Sequence, residues 1–476
     1  MKNVTENNKI YTGVTKYKNL EFIFVFNGEY LRLIPTTENI TEVKNKWLML
    51  PLAEGKFTPN LDLKMENSFL IGHCYENEKQ FVFFTHQNDY IGNNNSVLIV
   101  NLIGYLECHI KNDTFGKISF LGSEINSIYP VNNFFTLSHI SPTTNSDGML
   151  SISIKRFEKT STIPQEFYVD CKKVSVQFGI SEKFSTDILE NPVLLESILT
   201  FSFEETNDYD FLIRLWFIAK KFISFLCYRN NICMKPAIVS SKRNTKNIYF
   251  ATLTMINKAI NENMYELKRT QCIKQSHIAG HEGQILTDIA CNKLYTRHIP
   301  KSYENEQYID AARFIMIITA FEWEFSRIYP NDIYKSEKTI LIEKEVTAKL
   351  KKLMDDSTGK LKDKYKNLIK NIKSTSLQTK LIKTCQYFDS IIGDLGKNLY
   401  ELNEKKLVYS EIGDRLAKQR NHFAHGDLDE DFIGLSLLDL MYLEYIIYAM
   451  QLKNYGIDNN NIRNAIKELF HLEFAA

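Results

Sequence analysis

Hydrophobic spacing changes along this chain. Up to about residue 200, apolar positions come in short, alternating runs: LEFIFVF (Leu20 to Phe26), SFLIGHCY (Ser68 to Tyr75), KQFVFFTH (Lys79 to His86), SVLIVNLI (Ser96 to Ile103), YLECHI (Tyr105 to Ile110), MLSISI (Met149 to Ile154) and KKVSVQF (Lys172 to Phe178). Period two with β-branched and aromatic residues, broken by NNN, NDTFG and TTNSDG, predicts β-strands. No helical pattern separates them, so the sheet is expected to be an antiparallel sandwich or barrel rather than a parallel α/β sheet. Phe81, Phe83 and Phe84 read most simply as its core.

NDYDFLIRLWFIAKKFISFLCYR, near residues 206 to 228, puts Phe211, Ile213, Leu215, Phe217, Ile218, Phe222 and Phe225 on a broad apolar face with Lys220 and Lys221 opposite, and predicts a helix packed on the sheet. MKPAIVS and NIYFATLTMI add two more strands. From about Glu304 the period is helical. Phe314, Ile317, Ile318, Phe321, Phe325 and Ile328 make one stripe, stopped by Pro330. Further helices are expected at about 337–356, 361–372, 376–403, 408–425, 430–455 and 460–470. The short connections suit an antiparallel helical bundle. The expected fold class is therefore α+β multidomain: a β-rich antiparallel region at 1–295 carrying the packed helix, then an all-α antiparallel bundle at 300–476.

Composition adds exclusions. The chain is 44% hydrophobic and 24% charged over 476 residues, as in ordinary globular proteins of several domains. No basic leader precedes an apolar stretch and no run reaches the length of a bilayer span, which argues against secretion and membrane insertion and for a cytoplasmic protein. The eight cysteines are scattered without a CxxC, the pattern of reduced thiols rather than of a disulfide framework. Cys272, His277 and His281 come nearest to a metal cluster but lack a further ligand at matching spacing. No GxxxxGK[ST], GxGxxG after a strand, HExxH or GxSxG occurs, so no cofactor or metal is expected.

Net charge is +1, but charge is unevenly spread. Twelve lysines face four acids between Lys344 and Lys383. Lys362, Lys364, Lys366 and Lys370 there form either a solvated helix face or a track for a phosphate backbone. Asp427 to Asp431 holds four acids in five residues and is expected to cap the last long helix.

The stretch KQRNHFAHGDLDED (Lys418 to Asp431) concentrates chemistry: Arg420, Asn421, His422 and His425, then Gly426. Ile412, Leu416 and Phe423, with Ala417 and Ala424, are the expected buried side of its helix. Asn421, His422 and His425 can share a face. Arg420 and His425 are five apart, about 140° on an ideal helix, so a shared target needs a bend, which Gly426 permits. Arg and His at this spacing arise about once by chance in such a chain, and Arg415 with His422 matches as well. The helix end, the Asn after the Arg and the Gly after the His distinguish the second pair.

RNHFAH followed by Gly resembles the Arg-x4-6-His motif of HEPN-domain ribonucleases, and the β-rich half with FLIRLWFIAKKFISFL, then FEWEF, then RNHFAHG is similar to ApeA-type anti-phage proteins. The resemblance implies a HEPN-like C-terminal domain and a metal-independent endoribonuclease. Arg420 and His425 would be the catalytic pair, Asn421 their polar partner and Glu322 of FEWEF a supporting acid, with Glu324 as the alternative. It also implies a homodimer or higher even oligomer that builds a composite site, RNA as substrate with tRNA a candidate, and a phage-derived trigger sensed by the N-terminal domain in abortive infection. His422 offers a second proton carrier within one chain. Two other readings stay open: a non-catalytic helical module for dimerisation or for RNA or partner binding, and a β domain whose primary role is binding a ligand.

Overall fold

The alternation in LEFIFVF builds a strand with Phe22, Phe24 and Phe26 fully buried. In the computed structural model, residues 9–51, 57–60, 62–76, 78–94, 96–110, 114–140, 149–154, 160–186, 193–243, 246–256, 270–306, 308–329, 337–373, 376–425 and 432–472 are described. They form an α+β protein with an antiparallel β region followed by a helical one. The chain divides into two compact units: Met1–Lys220 with Ile232–Asn261, and Lys221–Asn231 with Glu262–Ala476. Periodicity alone put the division at 295 to 300. The difference arises because residues 221–231, the end of the helix near 206 to 228 and the turn after it, and the chain from residue 270 belong by their contacts to the helical unit.

In the first unit, β1 (Tyr11–Tyr17), β2 (Leu20–Phe26), β3 (Tyr30–Pro35), β4 (Phe69–Cys74), β5 (Gln80–Thr85) and β6 (Val97–Cys108) form a closed antiparallel ring. Neighbours run β6, β3, β2, β1, β4, β5 and back to β6. Lys18 and Asn19, both at positive φ, make the two-residue turn that sets the β1–β2 register from Tyr11↔Phe26 to Tyr17↔Leu20. The ring interior is a packed core of Phe22, Phe24, Phe26, Phe81, Phe83, Leu98 and Val100, among others. Phe84 is buried too, outside that cluster. A Cβ on Gly72 would stand 2.7 Å from the Phe24 ring and 2.8 Å from that of Phe83, so glycine leaves the space these rings fill.

SVLIVNLI and YLECHI form one strand, β6, whose two halves have different neighbours: Leu98–Asn101 pair with β3, whereas Gly104–Cys108 lie between β5 and β12 (Lys246–Met255). From there the sheet continues through β11 (Ala237–Arg243), β7 (Phe115–Phe120), β10 (Val193–Thr206) and β9 (Lys172–Phe184) to β8 (Gln165–Val169). Helix α1 (Tyr209–Cys227) buries Phe211, Leu215, Ile218, Phe222 and Phe225 as expected, but Ile213 is only half-buried and Phe217 is exposed, because Leu212, Trp216 and Ala219 take the inward positions.

The second unit holds α2 (Glu282–Ala290), α3 (Ala311–Ile328), α4 (Glu337–Asp355), α5 (Gly359–Lys373), α6 (Leu377–Glu401), α7 (Tyr409–His425), α8 (Ser436–Asn454) and α9 (Asn459–Leu469). Helix α8 packs against α3, α6, α7 and α9 and is buried on nearly every side, from Leu440 to Leu452. Such a helix cannot leave polar groups unanswered. Asp439 meets Arg415 and Tyr400, Glu444 meets Tyr228 and Arg313, and Gln451 meets Glu324 and Tyr295. Helices α4 and α5 pack on each other, and α4 buries none of its residues. Pro330 lies outside the described residues.

Two expectations change here. Helix α8 begins at Ser436 with Leu435 at its N-cap, so Asp427 to Asp431 do not cap it; those acids lie outside the described residues. Gly434, at positive φ, opens the turn that leads into Ser436. No helix among the described residues is long and apolar enough to cross a membrane.

Candidate functional site

Helix α7 buries Ile412, Gly413, Leu416, Gln419 and Phe423, positions spaced three to four apart. Ala417 is only half-buried and Ala424 is exposed, contrary to the expected apolar face. That face instead uses Gln419, fully buried, whose side-chain oxygen accepts from Ile433 N at 2.7 Å and Ser436 Oγ at 3.1 Å. Phe423 meets Phe314 of α3 edge-on at 5.3 Å and Phe432 at 5.6 Å. These contacts hold the end of α7 between α3 and the start of α8.

Arg420, less than a turn before Phe423, also faces α3. Its Nη2 is 3.3 Å from Glu322 Oε2 on α3, and the two side chains are 41% and 32% exposed. The structure thus brings together two residues that stand 98 positions apart. Most of the Arg420 donors remain open to solvent or a ligand, because a guanidinium carries five N–H groups and a single contact uses one. Asn421, the next residue, is exposed, and His422 is half-buried. His425 is the last residue of α7; its side chain, and Gly426 that was expected to bend the chain there, lie outside the described residues. Because the helix continues to 425, backbone position 425 stands about 140° around the axis from position 420.

The other Arg of the chance-level pattern has a different fate. Arg415 Nε and Nη2 donate to both oxygens of Asp439 at 2.6 and 2.7 Å, and Nη1 donates to Glu411 at 2.7 Å. Asp439 has no exposed side-chain surface, and the Tyr400 hydroxyl also donates to it. These hydrogen bonds hold the Arg415 guanidinium protonated more firmly than usual, while burial pushes the Tyr400 hydroxyl well above its ordinary range. With its forked donors satisfied from within the bundle, Arg415 is an internal tie between α7 and α8.

The acidic pair in FEWEF divides in the same way. Glu324 has no exposed surface; it accepts from Arg327 Nε at 2.8 Å, from Tyr295 N at 2.9 Å and from Gln451 Nε2 at 3.1 Å. Arg327 continues to Asp288 at 2.9 Å, which accepts from the Tyr455 hydroxyl at 3.1 Å. Glu324, the alternative supporting acid, is thus a buried member of this network. Glu322, two residues earlier, faces Arg420.

Lys362, Lys364, Lys366 and Lys370 are exposed on α5. His277 of the weak metal pattern sits 3.3 Å from Glu468 and 3.4 Å from Asn461, and His281 lies 3.4 Å from Gln284. No cluster of three metal-ligating side chains occurs among the described residues. Sequence reasoning missed Asp439, Tyr400 and Gln419. Only Glu411, four residues before Arg415, signalled that this Arg was engaged.

No protein-family model, curated protein or solved structure matches this chain.

Proposed function

We propose that the protein is an endoribonuclease that cleaves RNA at Arg420 and His425, with Asn421 and Glu322 in support. The observation that carries this reading is the Arg420–Glu322 pair: a guanidinium held at a helix end by one carboxylate, half open to solvent. Of the two Arg/His matches in α7, Arg420 keeps donors free whereas Arg415 spends its own on Asp439 and Glu411.

In this mechanism Arg420 donates to the scissile phosphate and stabilises the charge that builds as the ribose 2′-OH attacks. Glu322 fixes the direction of the guanidinium. His425 takes the 2′-OH proton or supplies one to the leaving 5′-oxygen, which an imidazole can do near neutral pH without a metal. The products are a 2′,3′-cyclic phosphate and a 5′-hydroxyl. Two proton transfers are needed. The 140° between positions 420 and 425 favours a composite site in which a second copy supplies the facing group, with His422 as the alternative within one chain. The exposed lysines of α5 are further candidates to hold the RNA backbone, and tRNA is the candidate substrate. The β unit would sense a phage-derived trigger, making the protein a toxin of cytoplasmic antiviral defence through abortive infection.

Arg420→Ala and His425→Ala are expected to abolish RNA cleavage and phage restriction while the protein remains folded. EDTA should leave cleavage intact, and RNA with a 2′-deoxy nucleotide at the scissile position should not be cut. Undiminished cleavage by either variant overturns the site. RNA bound but left full length in the presence of the trigger overturns the activity and favours a binding module.

A further inference from the structure

Two thiols that neither the candidate site nor its chemistry uses lie side by side in the second unit. Cys227 ends α1, and Cys272 lies 45 positions later in sequence. The backbone brings them together: Ile273 N donates to Leu226 O at 2.8 Å, so the peptide units containing the two cysteines are joined by one hydrogen bond. Cys227 is also the largest influence on the Cys272 thiol. Both are buried, at 4% and 0% exposure. Lys274 Nζ stands 3.8 Å from Cys272 Sγ.

We propose that Cys227 and Cys272 form a peroxide-oxidisable dithiol, with Cys272 the attacking sulfur and Cys227 the resolving one. The surroundings assign the roles. The influence of Cys227, opposed by burial and helped by the Lys274 ammonium, holds the Cys272 thiol below its ordinary value. Burial instead pushes the Cys108 and Cys385 thiols up to about 12 and raises that of Cys74. The nucleophile in thiol oxidation is the thiolate, so among these buried sulfurs the chemistry falls to Cys272.

The steps balance with hydrogen peroxide as oxidant. The Cys272 thiolate attacks one peroxide oxygen, the O–O bond breaks, and hydroxide leaves with Cys272 as the sulfenic acid. The Cys227 sulfur then attacks the Cys272 sulfur, forming the S–S bond; the sulfenic oxygen departs and, with the thiol proton, becomes water. Overall, two thiols and one peroxide give one disulfide and two waters. The product closes a loop through β11 and β12 and fixes the end of α1 to the segment at 272.

The test uses the full chain, treated with hydrogen peroxide and then alkylated, digested without reductant and analysed by mass spectrometry. A linked peptide pair containing Cys227 and Cys272 is expected, reversed by dithiothreitol. Oxidised protein should melt roughly 10 °C higher than reduced protein, the entropy effect of closing a loop of this length. In Cys227→Ser the sulfenic acid at Cys272 should persist long enough for dimedone to label it. If peroxide modifies only the exposed Cys171, Cys233 and Cys291 while Cys227 and Cys272 remain free thiols in the wild type, the proposal fails. It fails equally if Cys272 pairs with any other cysteine. Neither result bears on RNA cleavage, which uses different residues.

Discussion

Arg415→Ala should destabilise the helical unit strongly while Arg420→Ala hardly does, although both residues sit on α7 and both precede a histidine at the same class of spacing. Removing the Arg415 guanidinium takes two forked bonds of 2.6 and 2.7 Å from Asp439, whose side chain has no exposed surface. The carboxylate left behind keeps the Tyr400 hydroxyl and loses its counter-charge. Breaking one partner of a buried pair costs about 3–5 kcal/mol. Arg415 itself is 18% exposed, so water recovers part of the loss and the low end, about 3 kcal/mol, is expected. For a unit of this size that is a fall in Tm of roughly 6–12 °C. The Arg420–Glu322 pair is 41% and 32% exposed, and such a pair contributes about 0–1 kcal/mol, or a shift of no more than roughly 4 °C. Urea melts followed by far-ultraviolet circular dichroism, run beside an RNA cleavage assay, separate the two. A stable Arg415→Ala that loses cleavage, or an Arg420→Ala that unfolds, would refute the division of these arginines into an internal tie and a working group.

Other expectations follow from the same contacts. Glu324→Gln should cost about 3 kcal/mol in a urea titration, because a neutral amide must face Arg327 from a position with no exposed surface, whereas Glu322→Gln should cost under about 1 kcal/mol. Burial and the nearby Arg313 push the His298 imidazole down to about 3; an unfolded chain takes up this proton below about 6.5 and the folded one does not. Stability from His298 is therefore full above that pH and declines toward pH 3 by up to about 1.4 kcal/mol per unit, a slope that His298→Phe should flatten. His277 has the opposite sign: burial disfavours its charge, but the Glu468 carboxylate outweighs burial and raises its pKa. Its contribution is present below the unfolded value and is lost as pH rises through the folded one, so His277→Gln should remove a decline on the neutral-to-alkaline side of the stability profile. Gly72→Ala should lower the stability of the β unit by about 1–3 kcal/mol through collision with Phe24 and Phe83, measurable as a reduced urea midpoint.

Local pattern carried much of this protein. LEFIFVF became β2 residue for residue, and the helical windows from 337 onward became α4 to α9 with ends shifted by a few positions, because strand and helix periods are written in the side chains that each element must bury. The antiparallel character of the β region followed from strands without intervening helices. Which of the two expected forms, sandwich or barrel, the first six principal strands take was not legible, since closure into a ring depends on β6 pairing with both β3 and β5. The start of α8 was placed too early, because DLDED has the composition of a cap and only the fold puts the helix at Ser436. The candidate site shows the same boundary. Sequence alone established that α7 carries two arginines near its end and that FEWEF carries two acids. It could not establish which of each pair turns inward. That was decided when α8 brought Asp439 to one side of α7 and α3 brought Glu322 to the other, a choice that no local period encodes because the partners lie 24 and 98 residues away.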